Sequence, residues 1–220
     1  MIKSDFDIAY EMLSKPIYAL ENEEEVANCD DFYDAGLDYN CGAYKIAVIF
    51  DDYVLKKAYT GTAHMTDDGS MRYEDDEPED SCETEVLLYR IAEKRGLERF
   101  FAKSEDIGNG IVKQERAEEF VKDREDINSN QRSEVMAFVK QYGLCSLYAA
   151  SNSEVFYWLM QEYSGKELLK LQDFVDEFDI DDLHSYNVGW CNGKLKLIDY
   201  SGTNTATASS ARESASAERS

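Results

Sequence analysis

The sequence predicts an α+β chain: strands with one main helix, then a run of helices, then a closing β-hairpin. Three observations carry that expectation. Residues 44–50, Tyr-Lys-Ile-Ala-Val-Ile-Phe, are dense in strand formers, and Asp51-Asp52 offers a turn before residues 53–56 resume extended chain. From residue 133 to residue 178, apolar residues recur at helical spacing, punctuated by Gly143 and Gly165. Asn192-Gly193 then separates two strand-like runs, a strong hairpin signal.

Taken in order, the elements read as follows. Residues 6–13 form a short helix with Ile8, Met12 and Leu13 on one side, ended by Lys15-Pro16 because proline disfavours helix in the residue before it. An acidic connector covers 21–25. Paired strands follow over 39–57, with Gly42 permitting a close backbone turn ahead of the first strong run. The strand pattern fails from 59 to 80, and 74–80 reads as a solvated acidic loop. A helix starts near Ser81, with Val86, Leu87, Tyr89, Ile91 and Leu97 as its apolar side and Gly96 near its end. Strands over 100–102 and 110–116 are joined by a turn at Glu105-Asp106. Helices cover 133–142, 153–163, where Ser153 is placed as the N-cap, and 167–178. The hairpin spans 188–191 and 194–198. Residues 203–220 carry no large apolar side chain and read as a disordered Ser/Thr/Ala-rich tail.

Composition narrows the function classes. The chain has 220 residues, 43% of them hydrophobic, enough to bury a sizeable core. Forty-six acidic residues oppose twenty-three basic ones, a formal charge of −23. Such a chain repels nucleic-acid backbones and anionic lipid, so neither is expected as a direct partner. Basic proteins are. The five cysteines, Cys29, Cys41, Cys82, Cys145 and Cys191, form no CxxC pair and fit no zinc spacing, so they read as reduced thiols of a cytoplasmic protein. The N-terminus has no apolar core of signal-peptide type, and no run is long enough to span a membrane.

The informative segment is 180–189, Ile-Asp-Asp-Leu-His-Ser-Tyr-Asn-Val-Gly, followed by 197–202, Leu-Ile-Asp-Tyr-Ser-Gly. Folding the hairpin returns Asp199 toward Asn187, giving two oxygen donors of the kind that suits magnesium. Asp182 stands close by, able to accept a proton from an incoming hydroxyl. His184 is expected to hold the loop through hydrogen bonds.

These residues carry a resemblance. Residues 182–187 resemble the D-x-x-x-x-N catalytic loop of the protein-kinase-like superfamily, and 197–201 resemble its metal-binding D-F-G segment. The Asp-Leu-His-Ser-x-Asn form leading through a hairpin to Ile-Asp is similar to short bacteriophage serine/threonine kinases, and to bacterial aminoglycoside and choline kinase relatives. The resemblance implies a bilobal protein-kinase-like fold, with a β-rich N-lobe holding one main helix and a reduced, mainly helical C-lobe. Its boundaries would be 1–37 for an N-terminal helical and acidic extension, 38–117 for the N-lobe, 118–202 for the C-lobe and 203–220 for the tail. It implies ATP and Mg²⁺ as ligands, with Lys56 on the phosphates and Glu85 orienting Lys56. Asn187 and Asp199 would hold the metal, and Asp182 would be the base. Gly42 would stand in the glycine-rich loop, and the backbone of Glu115 and Ala117 would meet the adenine edge. Ser201 replaces the family's glycine, Ile180 replaces the histidine of the H-R-D form, and little chain follows Asp199. Two functions are therefore expected. One is a phage-type serine/threonine kinase acting on host proteins. The alternative is a catalytically weak pseudokinase, an acidic module that binds and inhibits a basic host protein.

Overall fold

The computed structural model describes residues 3–20, 25–27, 29–42, 44–66, 69–75, 81–120 and 127–200. Among these the chain is α+β, with seven α-helices and three sheets. It forms two compact units, the first within Met1–Val86 and Ser104–Arg116, the second within Leu87–Lys103 and Ala117–Ser220. Most of the acidic connector (21–24), most of the acidic loop (76–80) and the tail at 203–220 lie outside the described residues.

The first unit is built on a five-stranded antiparallel sheet. Its strands are β2 (Asp38–Cys41), β3 (Lys45–Ile49), β4 (Tyr53–Ala58), β7 (Ser104–Asp106) and β8 (Ile111–Glu115), in the order β2-β3-β4-β8-β7. Strand alternation gives this sheet two different faces. Ile46, Val48, Leu55 and Ile111 point to one side, where they meet Ala9 and Leu13 of α1 (Asp5–Leu13) and Phe32 of α2 (Cys29–Asp34). Helix α1 starts at a capping box, in which Ser4 Oγ accepts from the Asp7 N–H and the Asp7 carboxylate accepts from the Ser4 N–H. The opposite face carries Lys45, Lys56, Val112 and Gln114. Register sets this pattern, because Ala47 pairs with Lys56 and Lys56 with Val112. Against Val112 lie Cys82 and Val86 of α3 (Ser81–Lys94).

A second sheet joins β1 (Tyr18–Leu20), β5 (Gly61–Met65) and β6 (Met71–Asp75), with β5 central. Residues 61–65 and 71–75 thus form a hairpin where the sequence suggested no strand. The inward positions of β5 are Gly61 and Ala63, too small to register as a hydrophobic alternation. Glu105 and Asp106 form part of strand β7, and the turn falls after them, where Gly108, Asn109 and Gly110 all have positive φ.

The second unit packs α4 (Ser129–Tyr142), α5 (Cys145–Ala150), α6 (Ser153–Glu162) and α7 (Gly165–Glu177) with a small sheet. That sheet has the order β11-β10-β9, from β9 (Glu118–Glu119), β10 (Val188–Cys191) and β11 (Lys194–Leu197). Asn192 and Gly193 take φ of 50° and 73°, as the two-residue hairpin turn requires. The N-cap of α6 is Asn152, whose side chain accepts from Val155, so Ser153 is the first helical residue. Helix α4 begins four residues earlier than residue 133, at a capping box between Asn128 and Gln131. Residues 98–100 are a short 3-10 helix, and Phe101 makes a single bridge to Leu197. Phe101 sits 5.2 Å from Phe174 and 5.0 Å from Tyr200, ring to ring. The Tyr200 hydroxyl donates to Ala102 O at 3.0 Å, which anchors the chain just after Asp199. Tyr163 donates to Leu195 O at 2.7 Å, and burial pushes its phenol well above the usual tyrosine range.

The five cysteines are thiols: Cys41, Cys82 and Cys191 are buried, Cys29 is half-buried, and Cys145 is exposed. Burial pushes the Cys41 thiol up. Among the described residues, no helix is long and apolar enough to cross a membrane.

Candidate functional site

The expected site residues fall into two groups, one in each unit. In the first, Lys56 reaches from β4 to Glu85 on α3, with Nζ 3.2 Å from Oε2 and 3.4 Å from Oε1. The Glu85 side chain has no exposed surface and that of Lys56 has 9%. Strand register selects Lys56 over its neighbour, since Lys57 lies on the other face and donates to Asn109 O. Helix phase selects Glu85 over Glu83, which is exposed.

The same carboxylate has two partners that the sequence reading missed. Lys45 donates to Oε1, and Gln114 Nε2 donates to Oε2 at 3.1 Å. Gln114 is itself tied to Ser104 Oγ at 2.9 Å. A signal existed: Lys45 falls two residues before Ala47 on β3 and therefore shares its face. Using it required the β3–β4 register, which no local pattern supplies.

Gly42 closes the turn between β2 and β3, where its N–H donates to Lys45 O at 2.9 Å and its carbonyl accepts from Tyr59 OH at 2.8 Å. Among the described residues, a Cβ there would meet only Lys45 O, at 3.7 Å, an ordinary van der Waals contact. Glu115 ends β8 opposite Tyr53. Arg116 donates from its backbone to Asp52 O and from its guanidinium to Phe50 O, which fixes the end of that strand. Ala117 belongs to the second unit, packed where β10 passes Glu118.

In the second unit a loop after α7 brings Asp182, Asn187 and Asp199 onto one frame. Leu183 is its buried pin, with its N–H donating to Ala150 O at 2.8 Å. Asn187 is the connector. Its Nδ2 donates to Asp182 O at 2.8 Å, and its carbonyl accepts from Ile198 N at 2.9 Å and Asp199 N at 3.4 Å. The Asp182 carboxylate is exposed, and His184 Nε2 lies 3.2 Å from its Oδ1. His184 Nδ1 accepts the Tyr186 N–H at 3.2 Å, which orients the ring with its Nε2 edge toward Asp182.

With Nδ2 engaged by Asp182 O, the amide oxygen is the atom through which Asn187 could hold a hard cation. Among the described residues no cluster of three or more His, Cys, Asp and Glu side chains has metal-ligand geometry. One amide oxygen and one carboxylate suit Mg²⁺ that arrives with phosphates, because this ion uses few protein ligands and keeps water and phosphate oxygens for the rest. Comparison with family models, with curated proteins and with solved structures gave no match to this chain.

Proposed function

We propose that this chain is an ATP- and Mg²⁺-dependent phosphotransferase of protein-kinase-like bilobal fold, acting on protein hydroxyls as a phage-type serine/threonine kinase. The observation that carries the reading is Asn187, which ties its side chain to the Asp182 backbone and its carbonyl to the strand end bearing Asp199. The buried Lys56–Glu85 pair supports it from an independent part of the sequence.

In this reading Lys56 binds phosphate oxygens and Glu85 orients it. Asn187 and Asp199 hold the magnesium, which when bound supplies charge neutralisation at the phosphates. Asp182 accepts the proton of the attacking hydroxyl, with the His184 ring beside its carboxylate. Rate enhancement then rests on positioning and electrostatics. The serines and threonines of residues 203–220 are candidate acceptors in the chain itself.

Thermal unfolding with MgATP tests the reading. Ligand at a hundred times its dissociation constant stabilises the folded wild type by about 2.7 kcal/mol, a clear rise in melting temperature. Asp199→Ala and Lys56→Ala should abolish the rise. Asp182→Asn should keep it, while phosphoryl transfer to a basic protein falls by about a hundredfold or more. No rise in wild type overturns the reading. The formal charge of −23 favours a second one, an acidic module binding a basic protein. A complex that dissolves at moderate salt and survives Asp199→Ala would identify that module.

A further inference from the structure

We propose that Lys45 and Gln114 are positioning residues for Lys56: they hold the Glu85 carboxylate, so that Lys56 can leave it for an anionic phosphate. The phosphate half of this rests on the kinase-like reading; the division of labour around Glu85 does not.

The reasoning starts from burial. Glu85 has a fully buried carboxylate, and a buried carboxylate stripped of its cation is strongly destabilising. If Lys56 were its sole partner, Lys56 could not turn to a ligand without that penalty. The contacts show a different arrangement. Oε1 receives Lys45, and Oε2 receives Gln114. Lys56 lies across both oxygens, at 3.4 and 3.2 Å. Each oxygen therefore keeps one donor when Lys56 moves, and the charge of Glu85 stays compensated by Lys45. Among the described residues, removing Lys45 instead leaves Oε1 with only the 3.4 Å contact.

The sheet builds this device. Lys56 on the central strand is flanked on both neighbours by residues of the same face: Lys45, two before its partner Ala47, and Gln114, two after its partner Val112. Gln114 is not left to rotate, because its Nε2 also reaches Ser104 Oγ on the edge strand β7. Three strands thus present three donors to one helix-borne carboxylate. The Lys45 side chain is 12% exposed, so its charge sits in the same poorly screened setting.

The test compares stability with ligand binding in the full chain. In urea denaturation, Lys45→Met should lower the folding equilibrium constant about a hundredfold, and Lys56→Met about tenfold or less. Double-mutant cycles with Glu85→Gln should give the larger coupling for Lys45, and Lys45→Arg should recover most of the loss. MgATP should reverse the order: Lys56→Met loses the melting shift, while Lys45→Met keeps it with weakened affinity. Should Lys45→Met not fold, Gln114→Met decides the same point, since it also must cost more than Lys56→Met. Equal or greater destabilisation by Lys56→Met overturns the proposal. A wild type that ignores MgATP defeats the kinase-like reading alone, because the urea series still decides which lysine is the counter-ion of Glu85.

Discussion

Gly189 shows how a single position can be fixed by its neighbours alone. Its φ is not positive, so backbone freedom is not the reason for glycine. A Cβ built there would lie 2.6 Å from Ala117 Cβ and 2.9 Å from Glu118 O. The second of these is backbone and cannot swing away. Gly189 also pairs with Glu119 in the β9–β10 ladder, so any relief opens that ladder. Gly189→Ala should therefore destabilise the fold by about 1–3 kcal/mol through overpacking, read as a lower urea midpoint with an unchanged slope. An unaltered midpoint would mean that β9 yields without cost. At the same scale, Lys45 and Gln114 were the least legible residues of the candidate site. The Asp182–Asn187 spacing is written in the sequence, whereas a lysine two places from a strand partner acquires meaning only once the strands are aligned.

Among elements, helix α7 carries the clearest local logic. Ser164 Oγ and the Ser164 N–H both donate to the Glu167 carboxylate, and the Glu167 N–H donates back to Ser164 Oγ. Those hydrogen bonds from Ser164 hold the Glu167 carboxyl below the usual glutamate range. A depressed folded-state pKa contributes stability that is present above the unfolded value and lost as pH falls through the folded one. Ser164→Ala should cost about 1 kcal/mol at neutral pH, and the difference from wild type should shrink as acid protonates Glu167. Urea midpoints at neutral and acid pH check this, and a gap that widens in acid would contradict it.

Elements with strong local signals were readable in the sequence: α1 from its apolar side and terminating proline, β3 and β4 from their strand formers, and the β10–β11 hairpin from Asn192-Gly193. Those missed lacked such signals for physical reasons. Helices α2 and α5 are six residues each, too short to show a helical period. Strand β5 buries Gly61 and Ala63, so its inward face is almost without side chain. Asn152 caps α6 in place of Ser153 because either residue can serve, and one step of register separates them.

Across the whole molecule, the two units each enclose a hydrophobic core of their own, one around Phe32, Ile46 and Leu55, the other around Phe101, Phe156 and Phe174. The cysteines divide between them. Cys41 and Cys82 are sealed within the first, Cys191 within the second, and Cys145 stands at the surface at the start of α5. The native chain thus contains its own set of chemical stopwatches. An excess of a thiol reagent should modify Cys145 at the rate of an unstructured peptide, and the three buried thiols only as often as their surroundings open. Mass spectrometry of peptides sampled over time would separate these rates, and equal labelling of Cys145 and Cys191 would rule such protection out. Each buried sulfur then reports how often its own shelter opens, with no residue replaced.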